Sequence, residues 1–176
     1  MKLDITPILR NPGASLPFFF EESLEMLLEG IAMVSFNGPV RVEGSVRNFN
    51  GMMELEAVAR VSYRTVCGRC CDPITDTLTV GIREDIIENL EREPVPAGED
   101  LEERYMFTGH ELRLDVIAAE ALLLEAPVYI LCREDCKGLC DECGTNLNQK
   151  TCDCGSDRPA DFRMEALRKF SDPDTN

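Results

Sequence analysis

The sequence predicts an α+β fold: an antiparallel β-meander packed on a buried helix, followed by a cysteine-rich extension. Three observations carry that expectation. Apolar and charged residues alternate between Val40 and Ile82, a helical apolar run fills residues 112–127, and residues 131–155 read LCREDCKGLCDECGTNLNQKTCDCG, with six cysteines.

Residues 1–36 hold a short apolar start, a second apolar stretch from Leu16 to Phe20, and helical spacing at Leu24, Leu27, Leu28 and Ile31. The period then becomes two. Val40, Val42 and Val46 alternate with Arg41, Glu43 and Arg47, and Asn48-Phe49-Asn50-Gly51 supplies a turn. Met53, Leu55, Ala57, Ala59, Val61 and Tyr63 fall on one face, against Glu54, Glu56, Arg60 and Arg64 on the other. After VCGRCCDP the alternation resumes at Leu78, Val80 and Ile82, as expected of a sheet with one packed and one wet face. Cys67 and Cys70 then stand at the tip of a hairpin.

The segment EREPVPAGEDLEER, residues 91–104, is acidic and proline-bearing, the composition of an exposed linker. In LRLDVIAAEALLLEAP, Asp115 is the expected N-cap and Pro127 the stop. A helix apolar nearly all round is expected to be buried against the sheet. The boundaries that follow are a core over residues 1–127 and a cysteine-rich tail over 128–176. That tail closes on a short amphipathic helix, ADFRMEALRKF, with Phe162, Leu167 and Phe170 as its contacts.

The opening MKLDITPILRNPG has an acid at Asp4, prolines at Pro7 and Pro12 and no long apolar run, so neither a signal peptide nor a lipid anchor is expected. No stretch is long enough to span a bilayer, and no membrane association is expected. The expected compartment is the cytoplasm, where thiols stay reduced. The odd total of nine cysteines also argues against a disulfide framework.

Metal ligation is the stronger reading of the sulfurs. Cys140-Asp-Glu-Cys143-Gly144 and Cys67-Gly68-Arg69-Cys70 each place two thiolates around one tight turn, which suits a tetrahedral ion with sulfurs about 2.3 Å away. Cys152-Asp153-Cys154 adds a pair that completes a four-sulfur set within fifteen residues. If the hairpin tip lies against the end of the buried helix, Cys67, Cys70, Cys132 and Cys136 form a second, long-range set, with Cys71 left over. Two Zn²⁺ ions are expected on this partition, although the spacing leaves other pairings open, and Cys132 also reads as a small apolar residue ending a strand. A redox C-x-x-C normally opens a helix after a strand, and Cys67–Cys70 instead lies between two alternating strands. The spacing matches neither ferredoxin pattern of iron–sulfur ligation. The single histidine, His110, is remote in sequence from the cysteines, and no catalytic constellation stands out, so no enzyme is expected.

VCGRC, LCREDCKGLCDECGTNLN and the closing C-x-C with DFRMEALRKF together resemble the YceD-like proteins, in their longer, cysteine-rich branch. The resemblance implies a cytosolic factor in making or maintaining the large ribosomal subunit, supporting accumulation of its RNA, with no known catalytic activity. Asp141 stands where a proline commonly follows the cysteine, and Cys71 where a leucine commonly follows the first pair.

Charge shapes the expected partner. The chain carries 33 acids against 18 bases, a net charge of −15. Eight zinc-bound thiolates would add eight negative charges and two zinc ions return four, giving −19. Lys and Arg contacts to phosphate supply most nonspecific RNA affinity, so direct RNA binding by the isolated chain is disfavoured. Arg158, Arg163, Arg168 and Lys169 form one basic cluster, equally read as helix C-terminal charge complementing the dipole. A basic ribosomal protein or large-subunit precursor particle is the expected partner. The competing expectations are a thiol redox or zinc-release sensor using Cys71, and a purely structural zinc module.

Overall fold

The computed structural model describes residues 1–24, 28, 34–88, 105–107 and 109–154. Its elements in chain order are β1 (Lys2–Asp4), α1 (Thr6–Leu9), β2 (Ser15–Glu22), β3 (Ser35–Phe49), β4 (Met52–Val66), β5 (Pro73–Glu88), β6 (Met106–Phe107), β7 (Glu111–Arg113) and α2 (Leu114–Leu124). Five strands form a sheet in the order β2-β3-β4-β5-β6, antiparallel except for the short β5–β6 pair, and β1 pairs with β7 separately. The chain divides into two compact units. One comprises Met1–Val66 with Pro73–Ile130; the other takes Cys67–Asp72 together with the chain from Leu131 onward.

The period-two stretches become the long strands β3, β4 and β5. Val40, Val42, Val46, Met53, Leu55, Ala57, Ala59, Val61, Val80, Ile82 and Ile86 are all buried in one apolar cluster. The opposite face is charged, with ion pairs Arg60–Glu43, Arg83–Glu56 at 2.7 Å and Arg41–Glu21 at 3.2 Å. Being exposed, these pairs contribute little stability but keep the wet face wet. Phe49 and Met52 are partners in the ladder, so Asn50 and Gly51 alone make the β3–β4 turn. Both have positive φ, 52° and 97°, the backbone that a two-residue hairpin turn needs. The β4–β5 ladder runs from Met53–Ile86 to Val66–Pro73, and six residues, Cys67–Asp72, bridge its end.

The first third of the chain holds more structure than its pattern suggests. Leu16 to Phe20 lies in a strand, β2, paired with β3 over eight residues. Leu16, Phe18 and Phe20 pack half-buried on the core while Phe19 is 60% exposed, an alternation hidden by three consecutive phenylalanines. Leu24 and Leu28 are buried. Leu27 and Ile31, the acidic segment 91–104 and the C-terminal run 160–170 lie outside the described residues.

The helix expected over 112–127 is shorter. Leu112 belongs to β7, opposite Leu3, so α2 begins at Leu114. The N-cap is therefore Arg113, without a side-chain cap, and not Asp115. Asp115 sits in the first turn, where it accepts from Arg113 Nη2 at 2.8 Å. That hydrogen bond holds its carboxyl below the usual range, and the helix dipole favours an anion there. The helix ends at Leu124, before the residues that Pro127 would force out of helical geometry. Leu114, Ile117, Ala118, Ala119 and Leu122 are buried in the same cluster as the strand residues, whereas Leu124 is 85% exposed. The helix is thus two-faced rather than enclosed on every side.

Asn48 is the one buried polar residue among those described. Its Nδ2 donates to the carbonyls of Ile8 (2.7 Å) and Leu9 (2.9 Å), and its Oδ1 accepts from Gly51 N–H at 2.8 Å. One side chain thus satisfies the end of α1 and the β3–β4 turn together. Asn48→Ala strands these groups, and is expected to cost about 3 kcal/mol. A lowered urea midpoint at unchanged slope is the measurement.

Candidate metal centre

Two tight turns set up the sulfur chemistry, and they are the same turn twice. In the first, Cys67 N–H donates to Asp72 C=O at 2.8 Å and Cys71 N–H to Cys67 C=O at 3.0 Å. In the second, Cys140 N–H donates to Thr145 C=O at 2.8 Å and Gly144 N–H to Cys140 C=O at 2.9 Å. The residue after the second cysteine is left-handed in both: Cys71 at φ 60° and Gly144 at φ 69°. Cys71, the thiol left over in the sequence, therefore occupies the corner where the sister turn carries glycine. Cys71→Gly relieves a left-handed side chain and is expected to stabilise the turn by about 1 kcal/mol. Metal content measured per chain should not change.

The turns supply two sulfurs to each of two groups, completed by Cys132 and Cys136 in one and by Cys152 and Cys154 in the other. The Sγ atoms of Cys67, Cys70, Cys132 and Cys136 all lie within 4.8 Å of one another, and so do those of Cys140, Cys143, Cys152 and Cys154. In the first group Cys67 and Cys136 are 3.8 Å apart and Cys70 and Cys132 3.6 Å. Four sulfurs at 2.3 Å from a central ion define a tetrahedron with edges of about 3.8 Å. None of the nine cysteines is disulfide-bonded. The donor set and spacing therefore fit a thiophilic tetrahedral ion in each cage. Cys67, Cys70 and Cys136 are buried, while the second cage is more open, with Cys140 buried, Cys152 and Cys154 intermediate and Cys143 exposed.

The local electrostatics favour anionic sulfur at selected positions. Cys70 N–H draws the Cys67 thiol down to about 6 against burial, with help from the N–H groups of Arg69 and Cys132. Burial opposes ionisation of Cys136, but the Asn148 amide and Gly138 N–H lower it. In the second cage the Thr145 hydroxyl and N–H bring Cys143 down to about 6. Neighbouring sulfur then pushes its partners the other way: Cys143 drives Cys154 up to about 12, and Cys140 raises Cys152. For Cys70 the Asp72 N–H favours the thiolate, but burial, the Cys67 sulfur and the Asp72 carboxylate outweigh it. Cys132 is raised, first by burial. Four thiolates this close cannot all stay ionised alone; a bound dication would remove that penalty.

A ring of polar groups around the first cage is absent from any count of cysteines. Asn148 Nδ2 donates to Cys136 Sγ at 3.4 Å, while its Oδ1 accepts from Lys137 N–H (2.8 Å) and Arg133 Nη2 (2.7 Å). Asn146 Nδ2 donates to the Asp72 carboxylate at 3.1 and 3.3 Å. Its Oδ1 accepts from both the N–H and the Nδ2 of Asn148 at 3.0 Å. Gly138, at φ 76°, disfavours a side chain: a Cβ would be strained by that backbone and would sit a tight 3.2 Å from Arg69 O. The sequence signal for this ring was the Asn-Leu-Asn run following Gly144-Thr145.

A meander protein with two cages of four sulfurs is a class defined by its architecture rather than by a reaction. Within that class the relationship is specific. The family model described as large ribosomal RNA subunit accumulation protein YceD matches residues 55–171, and the chain belongs to that family. An uncharacterized protein of Mycobacterium leprae is 25% identical over 150 residues, covering 82% of this chain and 66% of the relative. The chloroplastic large ribosomal RNA subunit accumulation protein YCED homolog 1 of Arabidopsis thaliana is 24% identical over 141 residues, covering 66% of this chain and 44% of that protein. The chain thus spans just under two thirds of one curated relative and under half of the other. No solved structure matches it. Among the described residues, no helix is long and apolar enough to cross a membrane.

Proposed function

We propose that this protein is a non-catalytic, zinc-binding factor supporting accumulation of large-subunit ribosomal RNA, working in the cytoplasm by docking on a basic ribosomal protein or an assembly intermediate. The pair of four-sulfur cages in a chain of this family carries the reading. One zinc would be held by Cys67, Cys70, Cys132 and Cys136, and the second by Cys140, Cys143, Cys152 and Cys154. In this division of labour the meander packed on α2, residues 1–127, is the scaffold. The tail, residues 128–176, is the surface that zinc makes rigid.

The partner follows from charge. A chain at −15 repels a phosphate backbone and attracts a lysine- and arginine-rich protein. Affinity capture of the full chain from extract is the test, alongside elemental analysis of protein purified without added metal. The expected result is two zinc ions per chain and co-recovery of large-subunit proteins that falls as salt is raised. Recovery of RNA free of ribosomal protein, or salt-indifferent binding, would overturn the docking reading. A folded, metal-free protein would overturn the zinc reading.

A second reading rests on Cys71, an exposed thiol one residue beyond buried Cys70. As a zinc-release sensor, this thiol would be oxidised by peroxide to a sulfenic acid with release of water. It would then condense with a cage thiolate to a disulfide with release of hydroxide, removing a zinc ligand. Equal rates of peroxide-induced zinc release from the wild type and Cys71→Gly would remove that reading.

A further inference from the structure

We propose that the two cages load as one coupled unit, with the loop 144–150 as the coupler and Asn146 and Asn148 as its positioning residues. The inference rests on the zinc-binding reading above and goes beyond it, because cysteine spacing alone describes two independent sites.

The coupling is written in where the loop begins, passes and ends. It leaves the second cage at Cys143 and returns to it at Cys152. In between, its side chains serve the first cage: Asn148 donates to a sulfur, Cys136, and Asn146 donates to the carboxylate of Asp72, two residues from Cys70. The backbone follows the same course. Leu147 N–H donates to Gly138 C=O at 2.9 Å, and Leu139 N–H donates to Arg69 C=O at 3.1 Å, beside Cys70. Asn146 and Leu139 form an isolated antiparallel bridge, placing the loop next to the residue that precedes Cys140. The segment joining the two halves of one cage is therefore hydrogen-bonded to the other.

Chemistry gives the asparagines a reason to be there. The Asp72 Oδ2 lies 3.3 Å from Cys70 Sγ, close enough for its charge to bear on that sulfur. The Asn146 amide engages both carboxylate oxygens and draws their charge away from sulfur. Asn148 gives Cys136 a donor, which stabilises its anionic form. Both side chains thus tie the loop to the ligand-bearing turns of the first cage. A filled first cage then holds the loop in the shape that presents Cys143 and Cys152 together, and by linkage the second ion favours the first to the same degree.

The experiment is a cobalt(II) titration of the full chain, read by the thiolate-to-cobalt charge-transfer and ligand-field bands of a tetrahedral four-sulfur site. Cys152→Ser/Cys154→Ser gives the constant of the first cage alone, and Cys132→Ser/Cys136→Ser that of the second. The wild-type constant for binding two ions is expected to exceed the product of those two by about tenfold or more. Repeating the set with Asn146→Ala/Asn148→Ala should bring that ratio close to one and weaken the first cage by about 10–100-fold. A disabled-cage variant that binds no cobalt makes the wild-type ratio too large to measure and supports the coupling. A wild-type ratio within twofold of one, or a ratio indifferent to the asparagine changes, overturns it while leaving two zinc sites in place. Absence of a four-sulfur cobalt spectrum in the wild type would instead remove the zinc-binding reading, and the coupling with it.

Discussion

Under the zinc-binding proposal, a strong chelator is expected to unfold residues 131–154 while the meander persists. The reason is what this segment buries: among residues 131–154 only Cys136, Gly138 and Cys140 are buried. Two sulfurs and a glycine are no hydrophobic core, and a segment of this size cannot offset its backbone entropy with so little apolar area. Structural zinc contributes on the order of 10 kcal/mol in comparable short motifs, enough to decide whether such a segment is ordered. Amide hydrogen exchange reads the outcome residue by residue. Protection at Leu139, Cys140, Gly144 and Leu147, whose N–H groups are bonded in the folded segment, should be lost on chelation. Amides in the β3–β4 and β4–β5 ladders should keep theirs, since their apolar face is closed without any ion. Retained protection at residues 139–147 in metal-free protein would show that the cages are ornaments on an already stable fold.

The second large effect concerns one glycine in the sheet. At Gly44 a Cβ would lie 2.2 Å from the Glu56 carbonyl oxygen and 2.5 Å from the Ala57 Cα, both backbone atoms of the adjoining strand. Neither can swing aside as a side-chain tip would, so Gly44→Ala must push β3 from β4 or distort their ladder. A cost of about 3 kcal/mol is expected, at the upper end of ordinary overpacking. For a chain of this size that lowers the melting temperature by about 10 °C. Gly81 is the control, because a Cβ there meets nothing within 4 Å. Gly81→Ala should melt close to wild type, and equal losses at both glycines would show that strand propensity rather than steric contact governs the result.

Much of this architecture was legible before any coordinates. A strict alternation such as Met53 to Tyr63 has one reading, and Asn50-Gly51 can adopt the positive φ that closes β3 onto β4. The relation between Cys67-x-x-Cys70 and Cys140-x-x-Cys143 was legible for the same reason: a short spacing around one turn leaves few geometries. What stayed hidden was held by partners remote in sequence. β2 shows no alternation across Phe18-Phe19-Phe20 and becomes a strand by pairing with β3. Residues 112 and 113 satisfy a helical pattern as well as a strand, and pairing with Leu3 and Lys2 decides for β7. Asn48, Asn146 and Asn148 read in the sequence as turn or loop residues. Their importance lies in acceptors and donors that only the folded chain delivers.

The six-residue bridge between β4 and β5 has a consequence for how the molecule is made. Cys67 and Cys136 are 69 positions apart, and Cys70 and Cys132 are 62 apart, so the early half of the first cage is synthesised more than sixty residues before the rest. Its closing partners arrive only once residue 136 has cleared the exit tunnel. Until then three thiols, Cys67, Cys70 and Cys71, stand at the tip of the nascent hairpin. A chain ending at residue 130 would keep those three thiols without Cys132 and Cys136, the partners that close the first cage.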